Sequence, residues 1–201
     1  MINLTKMGSG ARTAARQMAG SSTEQKNGAL QYIADGLAYC ETDILAANER
    51  DAEAGRKNSL SEALIDRLKL TPERLHDIAS DVRAIAALPD PIGEIFAERV
   101  LSNGLQLRRQ RVPIGVLGVI YESRPNVTID VAALAIKTGN VALLRGGSET
   151  ICSNRALVQV VQRALKKANL LEDVVQFIDN DNRKYVAQML RMHDYIDMII
   201  P

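Results

Sequence analysis

The sequence predicts an α/β fold: a parallel sheet with flanking helices, preceded by an N-terminal helical segment and a β-hairpin. Three observations carry this. After Pro113, short apolar runs rich in β-branched residues alternate with helical stretches. Strand–helix–strand order of that kind builds right-handed crossovers, and so a parallel sheet. The runs are apolar nearly throughout, as in strands covered on both faces. Before residue 90 the apolar spacing is helical only.

Composition narrows the function classes. The chain has 201 residues, 46% hydrophobic and 24% charged, which suits a packed globule and excludes a disordered chain. Lys and Arg number 25 against 24 acidic residues, and aromatics are 3% with no Trp. A general nucleic-acid binder shows a basic face or stacking platforms, so no nucleic-acid partner is expected. No apolar run reaches the roughly 20 residues of a membrane span, so no membrane partner is expected either. Cys40 and Cys152 are far apart, which suits a reducing compartment. His76 and His193 are the only histidines, so no metal site is expected.

The elements follow in order. Lys6, Arg12 and Arg16 precede the first acid, Glu24. Such a start is either an organelle transit peptide or the first amphipathic helix of the fold, and the second reading is preferred. Leu30, Ile33, Ala34, Leu37 and Ala38 form a helical stripe. Thr71-Pro72-Glu73 is a helix start, with Thr as N-cap and Pro at the first helical position. Leu75, Ile78, Ala79, Val82, Ile85 and Ala86 mark its buried face, and Pro89 and Pro91 stop it. Residues 1–90 thus form a helical segment with no constellation that looks chemical.

Residues 98–113 read as a hairpin: strands at 99–101 and 105–112 around Ser102-Asn103-Gly104. Arg108, Arg109 and Arg111 on it either bind phosphate or guard an edge against stray pairing, and the guard reading is preferred. Residues 114–201 carry the alternation: strands at 115–121, 141–144, 174–178 and 195–200, helices at 128–138, 153–168 and 182–192. Gly139 should terminate the first of these helices. This half is mildly basic, which suits an anionic ligand. The sequence given stops right after a strand, where open parallel sheets build their ligand sites; it is read as part of a larger protein.

Two loops hold the candidate chemistry. In the first, Glu122-Ser123-Arg124-Pro125-Asn126-Val127-Thr128, a helix start offers free N–H groups to an anion and Arg124 a fork for carboxylate or phosphate. Asn126 offers an amide to a developing oxyanion. Plain capping by Asn126 or Thr128 explains the same spacing. In the second, Arg145-Gly146-Gly147-Ser148-Glu149, paired glycines let a backbone approach a ligand closely. A tight strand-to-helix connection explains them as well. Asp179, Asn180 and Asp181 read as a turn cluster, and His76 and His193 as surface or helix-end residues.

The stretch RVPIGVLGVIYESRPNVTIDVAALAIKTGNVALLRGGSE, with ALPDPIGE and SNGLQLRRQRVPIG before it, strongly resembles the γ-glutamyl phosphate reductases of the aldehyde dehydrogenase superfamily. The resemblance covers essentially the whole chain and is to the N-terminal part of proteins about twice as long. It implies a Rossmann-like cofactor domain over residues 1–201, without the catalytic domain, and an oligomerisation role for the 98–113 hairpin in a homo-oligomer. It implies NADPH-dependent reduction of L-glutamyl 5-phosphate to L-glutamate 5-semialdehyde with release of phosphate, a step of proline biosynthesis in the cytoplasm, coupled to glutamate 5-kinase. A cysteine thiolate forms the thioester; it lies beyond Pro201, so this chain alone should be inactive. Asn126 resembles the superfamily's oxyanion asparagine. Arg145, Gly146, Gly147 and Ser148 fall on the cofactor loop. Arg145 stands where a cofactor-binding lysine is usual, and Ser148 where NAD-preferring members carry a glutamate, which implies NADP. Glu122 and Arg124 are expected to meet the substrate's amine and carboxylate. Cys40 reads as packing and Cys152 as structural. Two other classes stay open: a stand-alone nucleotide-binding or regulatory module, and a non-catalytic assembly subunit that pairs through residues 105–112.

Overall fold

The computed structural model describes residues 2–201. Five helices come first: α1 (Leu4–Ala19), α2 (Thr23–Tyr39), α3 (Glu41–Lys57), α4 (Glu62–Leu68) and α5 (Pro72–Ala87). A hairpin follows, β1 (Ile95–Val100) and β2 (Gln106–Gln110). The remainder alternates: β3 (Val116–Ile120), α6 (Asn126–Lys137), β4 (Val141–Arg145), α7 (Ile151–Lys167), β5 (Val175–Phe177), α8 (Lys184–Met189) and β6 (Met198–Ile200).

Local chemistry explains most of the helix starts. Asn3, Ser22, Ser61 and Thr71 each accept a backbone N–H of the first turn, and Ser22 forms a reciprocal capping box with Gln25. The acid-poor start is α1, the first helix of the fold, and it buries Ala11, Ala14 and Met18. Gly139 terminates α6 with φ of +67°, and a Cβ there would meet Pro113 at 2.9 Å. Only glycine takes that conformation without cost.

β3 to β6 form one parallel sheet in the order β5-β4-β3-β6. Crossovers from β3 to β4 and from β4 to β5 run one way; the return to β6 runs the other. With right-handed connections this puts α6 and α7 on one face and α8 on the opposite face. Tyr195, after α8, packs against Gly8 of α1, and the Gln176 amide donates to the Met7 carbonyl, so α1 shares the α8 face. α2, α3 and α5 pack behind α6 and α7. Val116, Val141, Ala142, Leu143 and Leu144 are fully buried, as a sheet sandwiched between helices requires.

Several boundaries move from those the sequence predicts. The hairpin begins at Ile95 and its second strand ends at Gln110, because Gly93 and Arg111 close the ladder with backbone hydrogen bonds around Glu94. Both strands of the hairpin are exposed along their length. Arg111 pairs with Glu94 at 2.6 Å and lies over the Phe96 ring. The predicted helix 182–192 shrinks to α8, and the predicted strand 195–200 to β6. The N–H groups of Tyr195 and Ile196 both turn back to the Met192 carbonyl, so the chain is still turning there. Asn126 and Thr128 do not cap α6: Pro125 occupies the cap position and no side chain serves it. Among the described residues, no helix is long and apolar enough to cross a membrane.

α7 has no local cap. Its first turn is served from α3 instead. Asp51 accepts the Cys152 N–H at 3.1 Å, the Ser153 N–H at 2.7 Å and the Ser153 hydroxyl at 2.6 Å. Asn48 donates to Ser153 and to the Leu68 carbonyl, and accepts the Leu70 N–H. Asp51 is 5% exposed, so this carboxylate faces little competition from water. Removing it strands two backbone donors in the interior. Asp51→Ala should therefore lower stability by about 2–3 kcal/mol, the cost of unsatisfied buried donors. A drop in the urea midpoint with an unchanged slope checks it.

Candidate functional site

A doubly wound sheet forms its crevice at the carboxyl ends of the strands, where the direction of winding reverses. Here that point lies beside β3. Ile120 of β3 stands opposite Arg145 of β4, and the Tyr121 N–H reaches the Arg145 carbonyl at 3.1 Å. The loop after β3 (121–125) and the loop after β4 (146–150) leave the sheet side by side.

A chain of buried polar groups holds the loops together. Tyr121 Oη lies 2.7 Å from Thr128 Oγ1; the Thr128 hydroxyl donates to Asn154 Oδ1 at 2.9 Å; Asn154 Nδ2 donates to Thr150 Oγ1 at 3.0 Å. Thr128 spends its one proton on Asn154, so the phenol must be the donor to Thr128. Burial pushes the Tyr121 phenol up to about 12. Gly146 is required by the same chain, since a Cβ there would collide with the Asn154 amide.

A carboxylate bridges the loops nearer the surface. Glu149 accepts the Ser123 hydroxyl at 2.5 Å and the Ser148 hydroxyl at 3.1 Å. Burial pushes its carboxyl up, but the hydrogen bonds from Ser123, its own backbone and Ser148 outweigh that and hold it below the usual carboxylate range. Glu149 is therefore ionised near neutral pH. Gly147 lets the carboxylate fold back; a Cβ there would lie 2.5 Å from it.

Of the residues singled out in the sequence, Arg145, Gly146, Gly147 and Ser148 come together on this rim. Arg145 is 6% exposed. Its Nη2 donates to the Asp181 carbonyl at 2.9 Å, its buried Nε has no partner, and among the described residues no acid pairs with it. A buried cation without an anion is costly, and an anionic or strongly accepting group at Arg145 would offset that cost. The Asp179–Asp181 turn supplies that carbonyl, while Asp179 itself pairs with Arg155 through two bonds of 2.7 Å.

Arg124 and Asn126 stand apart from the rim. They line a second cleft, of about 370 Å³, against the turn between α4 and α5. The Asn126 amide nitrogen donates to Asp130 at 3.1 Å, and burial pushes the Asp130 carboxyl up. Glu122 is exposed and lies outside that lining. Cys152 is half-buried beside Asp51; burial first, then the Asp51 charge, pushes its thiol up, the reverse of an activated thiolate.

Sequence reasoning missed Asp51, Tyr121 and Asn154, and gave Thr128 only a capping role. A signal existed for two of them. Asn154 falls in phase with Leu157, Val158 and Val161, and Asp51 with Ile44, Asn48 and Gly55. A polar residue inside a buried stripe must find a buried partner. The helical segment is thus not chemically silent, as its sequence suggested: α3 caps α7, and the α4–α5 turn walls the cleft.

No family model matches the chain. The fold is that of the aldehyde dehydrogenases: an acetylating aldehyde dehydrogenase from Geobacillus thermoglucosidasius aligns over 97% of this chain and 40% of its own, with a TM-score of 0.73 at 14% identity. Within that class, the chain is similar along its whole length to the N-terminal half of γ-glutamyl phosphate reductases. It is 54% identical over 200 residues to that of Vibrio vulnificus, covering 100% of this chain and 48% of the relative. The crystal structure of the Thermotoga maritima γ-glutamyl phosphate reductase matches with a TM-score of 0.97 and 39% identity, over 100% of this chain and 48% of that one. The chain spans about half the length of the curated relatives it matches.

The buried phenol makes a pH prediction. Its neutral form is favoured in the fold, so its contribution to stability is complete below the ordinary tyrosine pKa and is lost as pH rises towards 12. In an alkaline absorbance titration one of the five tyrosines should ionise late, and Tyr121→Phe should remove that step. A late step that survives the substitution would contradict the assignment.

Proposed function

We propose that this chain is the cofactor-side half of a reductase that converts L-glutamyl 5-phosphate to L-glutamate 5-semialdehyde with NADPH, releasing phosphate. The observation that carries the reading is the 54% identity to γ-glutamyl phosphate reductase along the entire chain. The overall balance is acyl phosphate, NADPH and a proton giving aldehyde, NADP and inorganic phosphate. The reading takes the thiolate nucleophile from a cysteine after Pro201, since Cys152 has the wrong surroundings. A thioester divides the reaction into two easier steps.

The buried cation Arg145, with no acidic partner among the described residues, supports a cofactor at this rim. When bound, the dinucleotide supplies the hydride. Arg145 provides the cation for its 2′-phosphate, and Ser148 an exposed hydroxyl beside it. Gly146 and Gly147 keep the loop thin enough for a close approach. Glu149 is the opposing feature, because a carboxylate on Ser148 repels a phosphate and welcomes ribose hydroxyls. Asn126 sits at an uncapped helix start, and its amide turns from Asp130 to the oxyanion of the reacting carbonyl. Arg124 meets the substrate carboxylate. The exposed β1–β2 hairpin serves as the contact of a homo-oligomer. A kinase that forms the acyl phosphate is the upstream partner.

Two measurements test this. In a protein of the relatives' full length, phosphate release from L-glutamyl 5-phosphate should keep step with NADPH oxidation; oxidation without phosphate release would exclude the reaction. In fluorescence titrations of this chain, Arg145→Gln should weaken NADPH by about tenfold, the scale of one charge-assisted hydrogen bond, and NADH much less. Glu149→Gln should widen the preference for NADPH. Equal weakening of both cofactors by Arg145→Gln would reject the 2′-phosphate role.

A further inference from the structure

We propose that the cleft between the α4–α5 turn and the start of α6 binds the α-amino acid head of the substrate, carboxylate and ammonium together. Arg67, Lys69 and Arg124 take the carboxylate, and Asp77 takes the ammonium. The proposal rests on the reductase reading and adds to it the part of the site that recognises the end of the substrate that does not react.

The cleft carries both signs of charge, and they differ in how they are spent. Arg74 is committed to the protein: Nη1 donates to the Asp66 and Lys69 carbonyls at 2.7 Å each, and Nη2 to the Asp66 carboxylate at 3.0 Å. It fixes the turn and neutralises Asp66. Arg67, Lys69 and Arg124 line the same cleft, and among the described residues none of them has an acidic partner. Asp77 lines it too and, among the described residues, has no basic partner. Three uncommitted cations and one uncommitted carboxylate remain around about 370 Å³.

That inventory discriminates between ligands. A phosphate group finds cations but also faces Asp77, a like charge at close quarters. A plain dicarboxylate meets the same repulsion. A zwitterionic head satisfies both signs at once, with guanidinium forks matching the carboxylate and Asp77 accepting from the ammonium. The start of α6, which no side chain caps, adds its positive end to the carboxylate side. Asn126 lines the same cleft, so a head held there leads the chain of the substrate towards the amide assigned to the oxyanion.

Calorimetric titration of this chain with L-glutamate, glutarate and inorganic phosphate tests the idea. L-Glutamate should bind saturably. Glutarate, which lacks the ammonium, should bind about tenfold more weakly, the scale of one charged hydrogen bond, and phosphate should not compete. Asp77→Asn should erase the difference between L-glutamate and glutarate. Arg124→Gln should weaken both about tenfold and leave NADPH affinity unchanged. Both residues are exposed, and urea unfolding of each variant checks that the fold is intact. Phosphate binding tighter than L-glutamate would overturn the proposal in favour of the phosphoryl end. So would equal binding of L-glutamate and glutarate, no saturable binding, or an Asp77→Asn variant that keeps the preference. Selective L-glutamate binding here, together with NADPH oxidation that releases no phosphate in the full-length protein, would instead refute the reductase reading and leave the cleft assignment standing.

Discussion

The hydrogen-bond chain Tyr121–Thr128–Asn154–Thr150 fixes where the rim of the sheet lies. It runs from the end of β3, through the first turn of α6, to the first turns of α7, and so crosses both loops that leave the sheet. Each link spends a donor on an acceptor, and Thr128, Thr150 and Asn154 are fully buried. A satisfied network of that kind is rigid, because any displacement exposes a buried donor or acceptor with no replacement. The glycine at 146 is a consequence: the loop lies against Asn154 and has no room for a side chain. The rim is therefore set before any ligand arrives.

A second constraint decides where charge is free to act. In dinucleotide-binding folds the positive end of a helix commonly receives a phosphate. In α7 that end is already taken by Asp51, reaching across from α3. The cation at this edge is Arg145, buried without an acidic partner among the described residues. α6 is the opposite case: it has no side-chain cap, and its start opens on the cleft beside Arg124. The two helix starts both lack a local side-chain cap and differ in availability. The difference is made by a residue about a hundred positions away, so the N-terminal helices belong to the site as much as to the scaffold.

This separates what was legible in the sequence from what was not. Periodicity located the strands of the sheet and the helices between them, because burial on two faces and on one stripe leaves different spacings. Thr71-Pro72 and Gly139 announced their helix ends, since each acts through its own backbone. Where a competing local bond intervened, the boundary moved, as at Met192, whose carbonyl holds the chain in a turn before β6. The partners of Asp51, Asn154 and Arg145 were illegible for a physical reason. Each is satisfied, or left unsatisfied, by something distant in the chain, and spacing carries no record of that. Arg124 and Asn126 were legible as candidates, yet only the fold shows that they line a cleft with α4 and α5 and not the rim with Arg145.

The loop after β3 joins the two places. At one end, Ser123 has φ of +53°, a conformation that costs a non-glycine residue about 1 kcal/mol or more. Its hydroxyl is held by Glu149 of the rim. Three residues on, Asn126 lines the cleft and gives its amide to Asp130. Tyr121 and Thr128, on either side of this segment, both belong to the buried chain. The six residues between them, 122–127, carry Ser123 to the rim and Arg124 and Asn126 to the cleft. One short loop with pinned ends therefore serves both places, and the bond from Ser123 to Glu149 offsets the backbone strain on its rim side.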